Sequence, residues 1–340
     1  MDQIVDPVRR DALVTKNEKT ARASLARPSR NSFGSPTSAS EVATSTVQPV
    51  AQPPTPPFWG VRQLDDIDLT AIWPHLDLKT LFRLHWGGKG VKGEAWEALQ
   101  RDEFQPRLEQ MQADAIASGW LEPRARYGYF PANADGNDLV VFAPDEAGRE
   151  LVRFPFPRQP ARERLCLADY FLPLASGVRD VVAFQVVTVG AAASQRTERL
   201  QAAGDYSDSF YSHGLSVQTA EGLAEWLHQR TRAELGIGPE TGKRYSWGYP
   251  ACPDLAQHEQ VDQILDLDKV GIRLTGGHQF EPEQTTAAIV IHHPDAKYFA
   301  LLTTGGTDTP DARDGLTVPE PSPNHVPAPV GAASQSDRAG

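Results

Sequence analysis

The segment Arg244-Tyr245-Ser246-Trp247-Gly248-Tyr249-Pro250-Ala251-Cys252-Pro253-Asp254 places one guanidinium and three aromatic rings within six positions. Two prolines and a glycine stiffen it, so it reads as an extended, turn-bearing stretch rather than a helix or an ordinary strand. A forked cation on a rigid backbone suits a carboxylate, and Gly248 permits close approach of a ligand. The same residues also suit an arginine that pins a loop to a surface carboxylate between core aromatics. Spacing alone favours that plainer reading.

Three further groups could carry chemistry. Glu221, Glu225 and His228 fall at i, i+4 and i+7, on one face of a helix. Glu225-x-x-His228 has the spacing of di-iron carboxylate bundles, but those need a second Glu-x-x-His, so a polar helix face is expected and no metal site. His292-His293 ends a strand, where neighbouring side chains point to opposite faces. One ring is therefore expected to be packed and the other to lie at the surface. Tyr298-Phe299 reads as packing at a sheet edge. There is no Walker loop, no Gly-x-Ser-x-Gly and no His-Glu-x-x-His.

The elements that must hold these residues follow from hydrophobic period. Phe104, Leu108, Met111 and Ala115 predict a helix ending near Gly119. Asp138–Phe142 follows a turn signal at 133–137 and predicts a strand. Val181–Val189 is the strongest strand in the chain, and its β-branched content predicts a central place buried on both faces. Ala220, Leu223, Ala224 and Leu227 predict a helix over about residues 215–235, and Ala287–Ile291 a last core strand that Pro294 limits. Strands and helices alternate irregularly, which predicts an α+β single domain with a central, mainly antiparallel sheet flanked by helices.

Composition bounds the rest. The chain has 340 residues, 33 Lys+Arg against 44 Asp+Glu, and a formal net charge of −11. That sign disfavours nonspecific nucleic-acid binding. No apolar run reaches the length of a membrane span, so no membrane partner is expected. Two cysteines, Cys166 and Cys252, exclude a disulfide framework and a multi-thiolate zinc site, and a cytoplasmic location is expected. Residues 1–57 are expected to be a short polar helix followed by a disordered Pro/Ser/Thr-rich linker. The folded body is expected over 58–304 and a disordered tail over 305–340.

Taken in order, several separated blocks resemble one family. They are Tyr127-Gly128-Tyr129-Phe130-Pro131-Ala132-Asn133, then Arg153-Phe154-Pro155-Phe156-Pro157-Arg158-Gln159, Cys166-Leu167-Ala168-Asp169-Tyr170-Phe171 and Ala220-Glu221-Gly222-Leu223-Ala224-Glu225. The Arg244–Pro253 block and His293-Pro294-Asp295-Ala296-Lys297-Tyr298-Phe299 complete the set. Together they resemble the C-terminal reactivation domain of cobalamin-dependent methionine synthase, over about residues 58–299.

That resemblance implies S-adenosylmethionine binding in a shallow groove beside an antiparallel sheet. It also implies a part in a methyltransferase of methionine biosynthesis, the reductive methylation of cob(II)alamin with flavodoxin or a similar electron donor. Arg244, Gly248 and Tyr249 match the family's Arg-x-x-x-Gly-Tyr ligand signature, with Arg244 on the ligand carboxylate and Tyr249 shielding the corrin face. Asp77 aligns with the contact to the ligand's amino group and Glu221 with a second acidic contact. Tyr298 and Phe299 align with a Tyr-Tyr pair near the ligand, Phe299 having lost the hydroxyl. None of the nine histidines follows the Asp-x-His-x-x-Gly pattern that supplies cobalamin's lower ligand. The cobalamin (vitamin B12) is therefore expected on a partner chain, with this chain a detached reactivation module. The other reading is a non-catalytic module that senses S-adenosylmethionine or docks a corrinoid protein.

Overall fold

Asp180–Thr188, the run richest in β-branched residues, is buried at all nine positions and lies inside a seven-stranded sheet. The computed structural model describes residues 45–301 apart from Ala147. The expected polar helix at the N-terminus, most of the expected linker and the expected C-terminal tail lie outside those residues.

In chain order the sheet strands are β1 (Gly60–Leu64), β2 (Arg124–Asp135), β3 (Asp138–Phe142), β4 (Glu150–Pro155), β5 (Asp180–Thr188), β6 (Lys243–Ser246) and, after a small two-stranded ribbon of β7 (Arg273–Leu274) and β8 (Phe280–Glu281), β9 (Thr285–Ile291). Their spatial order is β4-β3-β2-β5-β9-β6, with β1 on the first half of β2, and every pairing is antiparallel.

Period-2 alternation along β5 sends Val182, Phe184 and Val186 into one core, and Val181, Ala183 and Val187 into another on the opposite face. Four helices of eight residues or more are described: α1 (Gln105–Ser118), α2 (Ala191–Ala203), α3 (Tyr206–Glu234) and α4 (His258–Leu265). α4 covers the first core with Val261 and Leu265, and α3 covers the second with Leu215, Leu223 and Leu227. Each such buried leucine contributes about 1.5–3 kcal/mol. α1 ends at Gly119 in the left-handed conformation, as its sequence predicts. The sheet flanked by helices is the expected α+β domain. Among the described residues no helix is long and apolar enough to cross a membrane.

Three expectations are corrected. Helix α3 begins at Tyr206, nine residues before the predicted start, because its buried face is built from small polar residues that carry no hydrophobic period. Ser209 and Ser212 are buried there, and Ser209 satisfies its hydroxyl on the Thr197 carbonyl of α2. Arg244 lies on a regular edge strand, since Lys243–Ser246 pairs with β9 before the prolines interrupt it. Residues 45–57 were expected to be disordered linker, yet they lie against the body. Ser45 Oγ donates to Asp169 Oδ2 at 2.7 Å, Val47 packs on the first core, and Pro56 is buried. A proline-rich segment has little backbone entropy to lose, so few contacts suffice to hold it.

Candidate functional site

Alternation along β6 divides its side chains between the two faces. Tyr245 is buried in the first core, whereas Arg244 points at α3. Arg244 Nη2 donates to Glu221 Oε2 at 3.1 Å, and its Nε lies 3.6 Å from Glu225 Oε2. Arg232, two turns beyond Glu225 along α3, fastens the chain entering β6 by donating to the carbonyls of Thr241 and Gly242. Its Nη1 lies 3.8 Å from Glu225 Oε1.

Burial opposes charge on Glu225, but the nearby His228 ring and the guanidinium groups of Arg244 and Arg232 outweigh it and hold its carboxyl down at about 2. His228 is fully enclosed, and burial pushes its pKa down to about 4, so the ring is neutral near pH 7. Its Nδ1 is 3.6 Å from Glu225 Oε2, too long for a hydrogen bond. No group of three or more His, Cys, Asp or Glu side chains is arranged to hold an ion among the described residues.

After β6 the chain turns tightly. Gly248 sits at φ +86°, and a Cβ there would meet Leu255 at 3.0 Å, so this position requires glycine. The Gly248 amide donates to the Cys252 carbonyl and the Cys252 amide to that of Tyr249. The Cys252 thiol faces the Ser246 carbonyl, and burial pushes its pKa up to about 12, which removes it as a nucleophile. The turn leaves Tyr249 exposed. Burial raises the pKa of its phenol, Glu221 adds to the rise and Arg244 opposes it. Tyr298 is likewise exposed and in the field of Arg244, with its ring edge-on to Tyr245 at 5.5 Å. Phe299 packs against the first core.

Asp77 approaches from a different part of the chain. Its carboxylate caps a short helical turn, accepting from the Thr80 amide (3.0 Å) and hydroxyl (2.6 Å). The residues just before it rest on α3 at Gly222, where a Cβ would lie 3.3 Å from Ile72 and Leu76. That contact sets Asp77 near the Glu221 turn. Burial lowers the pKa of His85, His213 adds to the fall, and the Glu221 and Asp77 carboxylates both act in the opposite sense.

The structure thus gathers Glu221, Arg244, Gly248, Tyr249 and Tyr298 at one corner and turns Phe299 toward the core, while the Asp77 carboxylate is engaged in capping the turn that follows the α3 contact at Gly222. Sequence reasoning left Glu225 out of the ligand set. Its i+4 spacing from Glu221 was the available signal, absorbed by the di-iron comparison. The expectation for the histidine pair is corrected: both rings are buried. His292 Nε2 meets Asp180 Oδ1 at 2.7 Å, and His293 Nε2 meets the Gln48 carbonyl at 2.8 Å. A separate concavity of about 780 Å³, lined by Tyr206, Phe210, His213 and Arg273 among others, does not include Arg244.

With this geometry in hand, comparisons with known proteins are specific. Residues 68–311 match the family described as vitamin B12 dependent methionine synthase, activation domain. Methionine synthase of Mycobacterium tuberculosis is 37% identical over an alignment of 276 residues that covers 72% of this chain and 23% of that protein. The Mycobacterium leprae enzyme is 36% identical over 274 residues, with the same shares. This chain therefore spans less than a quarter of the length of these curated relatives. A crystal structure of the MetH reactivation domain bound to AdoHcy superposes with a TM-score of 0.65 at 25% identity, covering 73% of this chain and 83% of that one.

Proposed function

Because the chain belongs to the activation-domain family of vitamin B12-dependent methionine synthase, we propose that it binds S-adenosylmethionine at the Arg244 corner and supports reductive methylation of a cob(II)alamin carried by a partner chain. The observation that carries this reading is the half-buried Arg244 guanidinium held between two α3 carboxylates on the edge strand of the sheet. In support, a solved relative of the same fold binds AdoHcy, the demethylated form of that ligand.

The corner suits a zwitterion. The ligand carboxylate replaces Glu221 on Arg244, forming two charge-assisted hydrogen bonds. Glu221, released from the guanidinium, and Asp77 then take the ligand's ammonium group. Glu225 stays charged behind Arg244 and keeps its fork in place. The guanidinium groups of Arg244 and Arg232 against the carboxylates of Glu221, Glu225 and Asp77 leave a local excess of one negative charge, which complements a ligand that is cationic overall through its sulfonium. Gly248 lets the ligand approach the backbone, while Tyr298 borders it.

Cobalamin supplies the metal that accepts the methyl group, and this sequence carries no Asp-x-His-x-x-Gly to hold it. The exposed ring of Tyr249 beside Arg244 fits the facing role, a neutral aromatic surface that excludes water from the transfer. Flavodoxin or a similar donor supplies the electron in this reading.

Reconstitution tests it. The chain is mixed with a cob(II)alamin-loaded methionine synthase lacking its own activation domain, together with a reductant and S-adenosylmethionine. Recovery of turnover is expected. Ligand binding without recovery would instead favour a sensing or docking module.

A further inference from the structure

Residues 45–57 precede the family-matched span, which begins at residue 68, yet they touch the loop that carries Tyr298. His293 is the joint. Its Nδ1 accepts from the Asp295 amide at 3.0 Å, and its Nε2 meets the Gln48 carbonyl at 2.8 Å. A carbonyl only accepts and an amide N–H only donates. The ring is therefore the neutral tautomer with its proton on Nε2, and both nitrogens are satisfied.

From this ring a continuous path runs to the ligand corner. The Ala296 amide donates to the His293 carbonyl at 3.1 Å and closes a turn. The Lys297 carbonyl accepts from the Tyr245 hydroxyl at 2.9 Å, and Gln159 Nε2 donates to the Ala300 carbonyl at 2.8 Å. Tyr298 lies between these two ties, edge-on to Tyr245, the neighbour of Arg244 on β6. Three residues before Gln48 the segment is anchored through Ser45 to Asp169, whose carboxylate is gripped by both terminal nitrogens of Arg158 at 2.7 Å. Tyr170, the next residue, packs on the His293 ring at 5.3 Å.

We propose that His293 is a positioning residue coupling the docked strap Ser45–Pro57 to ligand binding beside Tyr298, so that strap docking and ligand occupancy favour one another. The proposal rests on the S-adenosylmethionine reading above. Docked, the strap holds His293, and His293 holds the turn that sets Tyr298. Undocked, the imidazole loses its partner at Nε2 and the turn loses its brace. Coupling of this kind is reciprocal: whatever factor the strap contributes to ligand affinity, the ligand returns to strap protection.

Hydrogen exchange and calorimetry on the full chain test this with S-adenosylmethionine as the probe. In the wild type the ligand is expected to slow amide exchange across residues 45–57. Val47→Asp, which expels the strap by burying a charge, is expected to weaken ligand binding by a matching factor of about 5–50. His293→Phe removes both ring hydrogen bonds and is expected to abolish ligand-dependent protection of the strap. His293→Gln, which keeps a donor toward the Gln48 carbonyl, is expected to restore part of it, which distinguishes positioning from mere packing. A wild type that binds the ligand with strap exchange unchanged would overturn the coupling alone, as would unaltered ligand affinity in a folded Val47→Asp. Failure of the wild type to bind S-adenosylmethionine would overturn the underlying reading with it.

Discussion

At the residue scale, the site depends on a buried charge balance rather than on reactive groups. His228 is enclosed and neutral behind Glu225, with a pKa near 4, while Glu225 titrates near 2. Both values lie below those of an unfolded chain, so both groups take up protons more readily once unfolded. Their stabilising contribution is complete above about pH 6.5. It is lost as pH falls, first through the window from 6.5 to 4 for His228, then from the ordinary carboxylate range toward 2 for Glu225. The thermal midpoint is therefore expected to drop between pH 6.5 and 4. In His228→Leu the proton uptake on unfolding at pH 5 should fall by about one. Identical pH slopes for the two proteins would show that His228 is not the group responsible. Arg244, Gly248 and Tyr249 were legible as a possible carboxylate clamp because their chemistry is local to one stretch. Spacing alone favours the structural pin, and only the family resemblance assigns Arg244 to a ligand carboxylate, because the partners that α3 brings opposite it are not encoded in that stretch.

At the element scale, helix α3 and strand β6 build the corner together, and α3 also fixes the approach of Asp77. The contact at Gly222 leaves no room for a branched side chain, because Ile72 and Leu76 already stand 3.3 Å from where a Cβ would lie. Gly222→Val is expected to destabilise the fold by about 1–3 kcal/mol. It should also lower affinity for S-adenosylmethionine by displacing Asp77 from the Glu221 turn. Wild-type affinity in this variant would place Asp77 outside the ligand set. β5 and β9 could be read from sequence because buried strands are written in β-branched residues. The first nine residues of α3 could not, since Ser209 and Ser212 are buried there without being apolar. Strand β2 was missed as a strand for a related reason: Gly128 and Pro131 interrupt its pattern, and its length comes from pairing with β1, β5 and β3 rather than from local propensity.

At the scale of the whole molecule, one sheet carries both cores, and the candidate site lies where its β6 edge meets the helix covering one of them. The strap at 45–57 crosses to the same end of β9 from outside the family-matched span, a long-range contact between segments about 245 residues apart that no local pattern encodes. The proposed reading gives the acidic corner around Arg244 one ligand, with a carboxylate, an ammonium and a sulfonium, on the convergence of the family assignment and the charges at that corner. Calorimetric titration of S-adenosylmethionine into the wild type, Arg244→Ala and Arg244→Lys tests that convergence most directly. Loss of the guanidinium fork should cost about 2–4 kcal/mol in Arg244→Ala, with Arg244→Lys recovering charge but not the paired hydrogen bonds and so falling between. Equal affinity in all three proteins would contradict the account.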